Sequence, residues 1–206
     1  DLTAVSLQGI RVVSSVDFAY ANQLGFRIKL VGVAEPGLMP RMQTCLLPLS
    51  SQLAKVNGVL NAVEFHGEPV GSVLAVGPGA GGGATSSAVL SDLMDIANGR
   101  GGLTFGRSIN QLVDANAVKN CAGPDKPFYV RLMVVDQPGV LATLTGILKK
   151  HSISVESLLQ QGRAPGNAVA LVMTTHETSV ANLGIALDEM EKLPIVRAKP
   201  VAMPIM

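Results

Sequence analysis

The chain has 206 residues, 48% of them apolar and 15% charged, and 16 lysines and arginines against 15 aspartates and glutamates leave a formal net charge of +1. That length holds one large domain or two of about 100 residues with real cores, and the apolar content excludes a disordered chain. There is no basic face for a phosphate backbone and, with 3% aromatics and no tryptophan, no stacking platform for bases, so nucleic acid is not an expected partner.

The chain opens Asp1-Leu2-Thr3-Ala4 rather than with methionine and is patterned by Val12, which reads as a piece of something longer. No basic stretch followed by an apolar run opens it, so nothing argues for secretion. Ser14 and Asp17 have the spacing of an N-cap and N3 residue in a capping box, and Gly25 is a natural stop for that short helix. Residues 26–34 alternate as a strand, Glu35-Pro36-Gly37 is a turn, and 42–47 is an apolar stretch. Ser50 or Ser51 can cap one or two helical turns through Val56. Asn57-Gly58 then turns the chain, and residues 59–65 pair with 70–76 across His66-Gly67-Glu68-Pro69. The pattern is α+β and mostly antiparallel.

Residues 69–91 form the longest run without charge, long enough for a bilayer core of ~30 Å. Their six glycines and two prolines would leave backbone groups unsatisfied in lipid, so no membrane span is expected. Within this run, residues 73–87 pass from a strand through a glycine loop into a helix predicted over 86–97. Such a loop lets backbone N–H groups approach an anion, and the helix start adds free donors and a positive dipole end. Gly77, Gly79 and Gly82 match GxGxxG, a weak signal. The acidic ribose-binding residue that should follow a second strand has no counterpart, because Asp92 and Asp95 fall on the same helix, so this is not a complete dinucleotide fold. A plain loop between strand and helix accounts for the segment equally well.

Asn98-Gly99-Arg100-Gly101-Gly102 punctuates the chain. Residues 99–127 read as a connection with one strand and one short helix, closed by the turn formers from Asn120 to Pro127. Beyond it, 128–135 alternates with Val130, Leu132 and Val134 on one face. Residues 139–150 place Val140, Leu141, Leu144, Ile147 and Leu148 on a helical stripe. A strand over 152–160, a turn at 162–167 and a strand over 168–175 follow. A helix from Ser179 to Lys192 turns Val180, Leu183, Leu187 and Met190 inward, and a last strand covers 195–201. The order is βαββαβ, the ferredoxin-like split unit. Between its first strand and helix, Asp136-Gln137-Pro138-Gly139-Val140-Leu141 sets an acidic side chain beside free helix-start N–H groups. That pairing suits the ammonium and carboxylate of a free amino acid; it also suits a simple turn in which Gly139 permits close packing.

Other polar residues offer less. His66, His151 and His176 are dispersed without a second ligand at helical spacing, so no metal site is expected. Lys29 lies in a strand between apolar residues, where a catalytic lysine is one reading and an edge or interface lysine the favoured one, and no serine or threonine has a spacing to histidine that marks a nucleophile. Cys45 and Cys121 are far apart and in no CxxC spacing, which fits a reducing compartment and a cytoplasmic protein. The eight methionines are core filler.

Gly9-Ile10, Asp17, Ala21, Leu24-Gly25-Phe26, Ile28 to Gly32, Val56, Gly58, Asn61-Ala62-Val63, Gly77 to Gly81, Thr85, Ala88-Val89 and Asp92-Leu93 resemble, in order and spacing, the second half of bacterial homoserine dehydrogenase. The 128–201 block, through Asp136 to Leu141, is similar to an ACT domain, the amino-acid-sensing module that follows the catalytic region in many of these enzymes. The resemblance implies a partial catalytic and dimerisation domain over 1–98, a connecting region over 99–127 and an ACT regulatory domain over 128–206. It implies NAD(P)-dependent interconversion of L-homoserine and L-aspartate 4-semialdehyde, on the route to threonine and methionine. L-Threonine is the effector so implied, and the assembly a homodimer, with a tetramer left open. Gly77, Gly79, Gly81 and Thr85 are the cofactor-binding residues so implied, and Asp136, Pro138, Gly139, Val140 and Leu141 the effector-binding ones. The family's nucleotide-binding domain and catalytic lysine are expected before this chain, so no catalytic residue is assigned and the piece alone is expected to be inactive. NAD and NADP are not distinguished. A stand-alone amino-acid-binding or dimerisation module is the alternative.

Overall fold

The computed structural model describes residues 5–102, 106–111, 123–162 and 164–206. They fall into two compact units, one within 1–50 and 118–206, the other within 51–117. Cys121, most of the strand and helix expected in the connecting region, and Arg163 of the 162–167 turn lie outside the described residues.

In the first unit, β1 (Ser6–Leu7) runs parallel to β3 (Arg41–Pro48), and β2 (Phe26–Val33) pairs with β3 antiparallel from Phe26↔Pro48 to Val33↔Arg41. The helix α1 (Ser15–Gln23) precedes β2. Its capping box forms as the Ser14/Asp17 spacing predicts, and Gly25, with φ +81°, supplies the left-handed residue that ends it. Its buried residues are Asp17, Tyr20 and Ala21. They lie on one helical stripe that includes a charge.

The same unit holds β6 (Phe128–Val135), α3 (Val140–Lys150), β7 (Val155–Gln160), β8 (Ala168–Thr175), α4 (Val180–Glu191) and β9 (Val201–Pro204), here numbered after β4 and β5 of the second unit. The sheet order is β7-β8-β6-β9, with every neighbour antiparallel. This is the ferredoxin-like βαββαβ arrangement. On β6 the even residues Val130, Leu132 and Val134 pack with Leu144 and Leu148 of α3 and Leu183 and Met190 of α4. Each fully buried aliphatic side chain there contributes roughly 1.5–3 kcal/mol. Two expected inward positions differ, because Leu141 and Val180 lie at the rim of their helices and are exposed, and Ala186 fills the core face of α4 instead.

The last strand also differs from the expected 195–201. Val196 forms only an isolated bridge with Val134, beside Arg197 N–H donating to Met133 O. The ladder with β6 resumes at Val201↔Arg131, two residues out of step with that bridge. Pro200, which has no N–H, lies in the interruption.

The odd face of β6 is buried too. Tyr129, with Val172, Val201 and Met203, packs against Tyr20, Ala21, Ile28 and Leu46. Thus α1 and the β2–β3 pair cover the side of the four-stranded sheet opposite its helices. The backbone joins them as well, since Met206 N–H donates to Leu46 O at 3.0 Å and Leu46 forms a parallel bridge with Ile205.

The second unit contains the hairpin β4 (Leu60–Gly67) and β5 (Gly71–Pro78), in register from Leu60↔Pro78 to Gly67↔Gly71, followed by α2 (Gly82–Ala97). Asn57-Gly58 turns as expected, with Gly58 at φ +64°. The helix starts at Gly82 rather than at residue 86. Gly82, Gly83 and Ala84 occupy its first turn, where glycine gives up little because those N–H groups have no intrahelical acceptor. No residue of α2 is buried, and Val89, Leu90, Leu93, Met94 and Ile96 are all exposed.

Candidate functional site

Two loops carry the expected site residues, and each begins where a strand hands over to a helix. In the second unit, Gly77 pairs with Asn61 one step before the end of the β5 ladder, and Gly79 N–H donates to Val59 O at 3.3 Å. A Cβ on Gly79 would collide with the Asn61 side chain, whose amide donates to Val59 O. Gly79 is therefore needed for the approach of loop to hairpin. Gly81 is the N-cap of α2 at φ +120°, ψ 144°, a conformation open to glycine, and its carbonyl accepts from Thr85 N–H at 3.1 Å. A Cβ at Gly77, Gly81, Gly82 or Gly83 would meet nothing within 4 Å. Gly81, Gly82 and Gly83 are exposed, and the first-turn N–H groups of α2 have no intrahelical acceptor. The hairpin before this helix is antiparallel, unlike the parallel βαβ unit of a dinucleotide fold.

In the first unit, Val135 leads into the loop before α3. Asp136 Oδ2 accepts from Ala164 N–H at 2.9 Å, and the Asp136 backbone donates to Asn167 O at 3.0 Å and accepts from Gly166 N–H at 3.3 Å. The carboxylate therefore holds the turn between β7 and β8 with one oxygen. Gly139 is the left-handed N-cap of α3 at φ +90°, and its carbonyl accepts from Thr143 N–H at 3.1 Å. Val140 is buried as part of the core, while Leu141 is exposed beside the free donors of the helix start. The loop thus carries Asp136 a few residues before the helix-start N–H groups, and Pro138 stiffens the approach to Gly139.

Sequence reasoning missed a third cluster. Asp17 is fully buried. Its Oδ1 accepts from Tyr129 Oη at 2.8 Å and Arg131 Nε at 2.7 Å. Its Oδ2 accepts from Ser14 N–H at 2.7 Å and Ser14 Oγ at 3.0 Å. Arg131 Nη2 also donates to Val12 O at 3.1 Å. Burial, followed by the charge and hydrogen bond of Asp17, pushes the Tyr129 hydroxyl well above its ordinary range. Farther along α1, Tyr20 Oη accepts from Gln161 N–H at 2.9 Å. The available signal was an arginine on the supposedly outward face of an otherwise apolar strand.

Two further features bear on chemistry. Cys45 is buried, and desolvation raises its thiol to about 11, so it is not a poised nucleophile. Among the described residues no three His, Cys, Asp or Glu side chains gather as a metal site would require, and no helix is long and apolar enough to cross a membrane.

Residues 1–94 match the family model for homoserine dehydrogenase, and residues 128–195 match that for the ACT domain. Homoserine dehydrogenase of Neisseria gonorrhoeae is 34% identical over 211 residues, covering 98% of this chain and 48% of that protein. The Synechocystis enzyme of the same name is 36% identical over 208 residues, covering 95% and 48%. Among solved structures, a homoserine dehydrogenase from Thiobacillus denitrificans aligns with a TM-score of 0.76 at 31% identity, covering 100% of this chain and 48% of that one. The chain spans about half the length of the relatives it matches.

Proposed function

From a chain whose residues 1–94 belong to the homoserine dehydrogenase family and whose residues 128–195 form an ACT domain, we propose a role in NAD(P)-dependent interconversion of L-homoserine and L-aspartate 4-semialdehyde, with feedback by L-threonine. The observation that supports this reading is the tandem order of the two family regions on one chain. We divide it into a partial catalytic and dimerisation region over 1–98, a connection over 99–127 and a regulatory domain over 128–206.

A bound nicotinamide cofactor would supply the hydride chemistry. The part of this chain is to position it: the open N–H groups at the start of α2, with Gly77, Gly79, Gly81 and Thr85, hold one side of it. The lysine that handles the hydroxyl proton and the carboxylates that hold homoserine belong to the half of the relatives' length that this chain does not span. The chain by itself is accordingly inactive. The exposed apolar residues of α2 and of the hairpin, Val63, Phe65 and Val73 among them, are the surface on which that other half packs. Substrate-region strands join two copies into a cytoplasmic homodimer. In the regulatory half, Asp136 takes the ammonium of L-threonine with its second oxygen, and the N–H groups after Gly139 take the carboxylate. Pro138, Val140 and Leu141 shape the wall around them.

Calorimetric titration with L-threonine, with L-homoserine, L-isoleucine and L-methionine as controls, tests the reading. Selective binding of L-threonine that Asp136→Ala abolishes is the expected result. A folded sample that binds none of the four overturns the sensing half. Binding of an amino acid by a chain that never confers dehydrogenase activity, even beside the other half of a relative, would favour the stand-alone sensor.

A further inference from the structure

Four donors converge on the buried carboxylate of Asp17, and they come from two parts of the chain. The capping box accounts for Ser14 N–H, and Ser14 Oγ belongs to the same N-cap residue. It does not account for Tyr129 and Arg131, which reach the same side chain from 112 and 114 residues away. A buried ion pair adds little net stability over an apolar contact of the same shape. What it adds is geometry, because short charge-assisted bonds fix direction and register, while the apolar contacts of Tyr20 and Ala21 around it tolerate sliding.

The placement of those donors matters. Tyr129 and Arg131 lie on β6, an interior strand of the order β7-β8-β6-β9, and β6 ends at Val135, immediately before Asp136. At the other end of α1, Gly25 O accepts from Leu49 N–H at 3.0 Å, and the chain enters β2, which is paired with β3 along its whole length. Hydrogen-bonded parts therefore run without a break from the Asp136 loop to the sheet of the dehydrogenase-family region. Among the described residues, Asp17 with Arg131 is the ionic joint in that run.

We propose that Asp17 is a positioning residue through which α1 and β2 respond to an amino acid held at the Asp136 loop, its bonds to Tyr129 and Arg131 being engaged differently in the liganded and ligand-free states. A ligand shifts a structure only through contacts that differ between two states, and this joint is that contact. The inference rests on reading the ACT domain as an amino-acid sensor.

Hydrogen exchange on the 206-residue chain, with and without saturating L-threonine, tests it. The variants are Asp17→Asn, Tyr129→Phe and, as a control, Gln23→Ala, whose side chain meets Gln161 at the surface of the same helix. In the wild type and Gln23→Ala, L-threonine changes exchange over residues 15–33 by about fivefold or more, the lower end of ordinary coupling. In Asp17→Asn and Tyr129→Phe that change falls below about twofold, while the response of residues 136–148 persists. Tyr129→Phe removes one hydroxyl and carries the test if Asp17→Asn does not fold; a merely structural Asp17 would lower the melting temperature and leave the response intact. The proposal is overturned if residues 15–33 respond equally in all folded variants, or not at all in a wild type that binds L-threonine. A wild type in which no segment responds and calorimetry shows no binding refutes the sensor reading, and this proposal with it.

Discussion

Arg131→Met separates a buried ion pair from a decorative one. In the folded chain the Asp17 side chain is 0% exposed and that of Arg131 10%, so solvent and salt screen their attraction little. Removing the guanidinium leaves a carboxylate out of water with three remaining donors, Ser14 N–H, Ser14 Oγ and Tyr129 Oη, and takes away the donor to Val12 O. Breaking such a pair costs about 3–5 kcal/mol, against about 5–15 kcal/mol for a whole domain. With a urea m-value of about 2 kcal/mol/M, the midpoint falls by about 2 M. The chain offers a selective probe: its two tyrosines, Tyr20 and Tyr129, both lie in the first unit and there is no tryptophan, so tyrosine fluorescence follows that unit alone. Asp17→Asn/Arg131→Met neutralises both partners, and the double variant should recover at least about 1 kcal/mol relative to the sum of the single ones. A loss below about 1 kcal/mol for Arg131→Met, or strict additivity in the cycle, would refute the claim that these charges depend on each other.

Leu144→Ala empties a site at 0% exposure in the ferredoxin-like core and should cost about 2–5 kcal/mol by the same urea assay; a cost under about 1 kcal/mol would show the core to be loosely packed. The Glu189 carboxyl is held below its ordinary range by hydrogen bonds from His151 and then Lys150. A depressed carboxyl contributes stability above its unfolded pKa of about 4.5 and loses it as pH falls through the folded value. Glu189→Gln should therefore flatten the melting temperature between pH 5 and pH 3 relative to wild type, and parallel curves would count against the contact. Cys45, raised to about 11 by burial, should resist maleimide at pH 8 in the folded chain and react fully in urea, as site-resolved mass spectrometry would show.

Local spacing was enough to read the regular parts of both units. The capping box of α1, the Asn57-Gly58 turn, the hairpin and the βαββαβ order all rest on turn chemistry and hydrophobic period, which act over a few residues. The register of β9 was not legible, because the slip before Val201 depends on where Pro200 falls relative to β6, a partner some 70 residues away in sequence. The start of α2 was hidden by Gly82 and Gly83, whose low helix propensity counts for little in a first turn. Asp17 was legible as a cap and illegible as a buried ion partner, since a charge on the inward stripe of α1 blurs the apolar pattern by which a buried face is found. Arg131 carried the complementary signal, but an arginine alternating with valine and leucine reads equally as a solvated outer face until something is known to cover it.

The two-sided burial of β6 limits how freely this ferredoxin-like domain can be exchanged. A ferredoxin-like unit with a solvated outer face could be grafted from one enzyme to another by cutting at its linkers. Here the outer face carries Tyr129, Arg131, Val172 and Met203, and its complement, Asp17, Tyr20 and Leu46, is encoded more than 80 residues earlier. A transplanted domain would bring an unpaired guanidinium and a bare apolar surface unless α1 and the end of β3 travelled with it. Evolutionary shuffling of this domain should accordingly leave a paired footprint, with residue 17 and residue 131 inherited together.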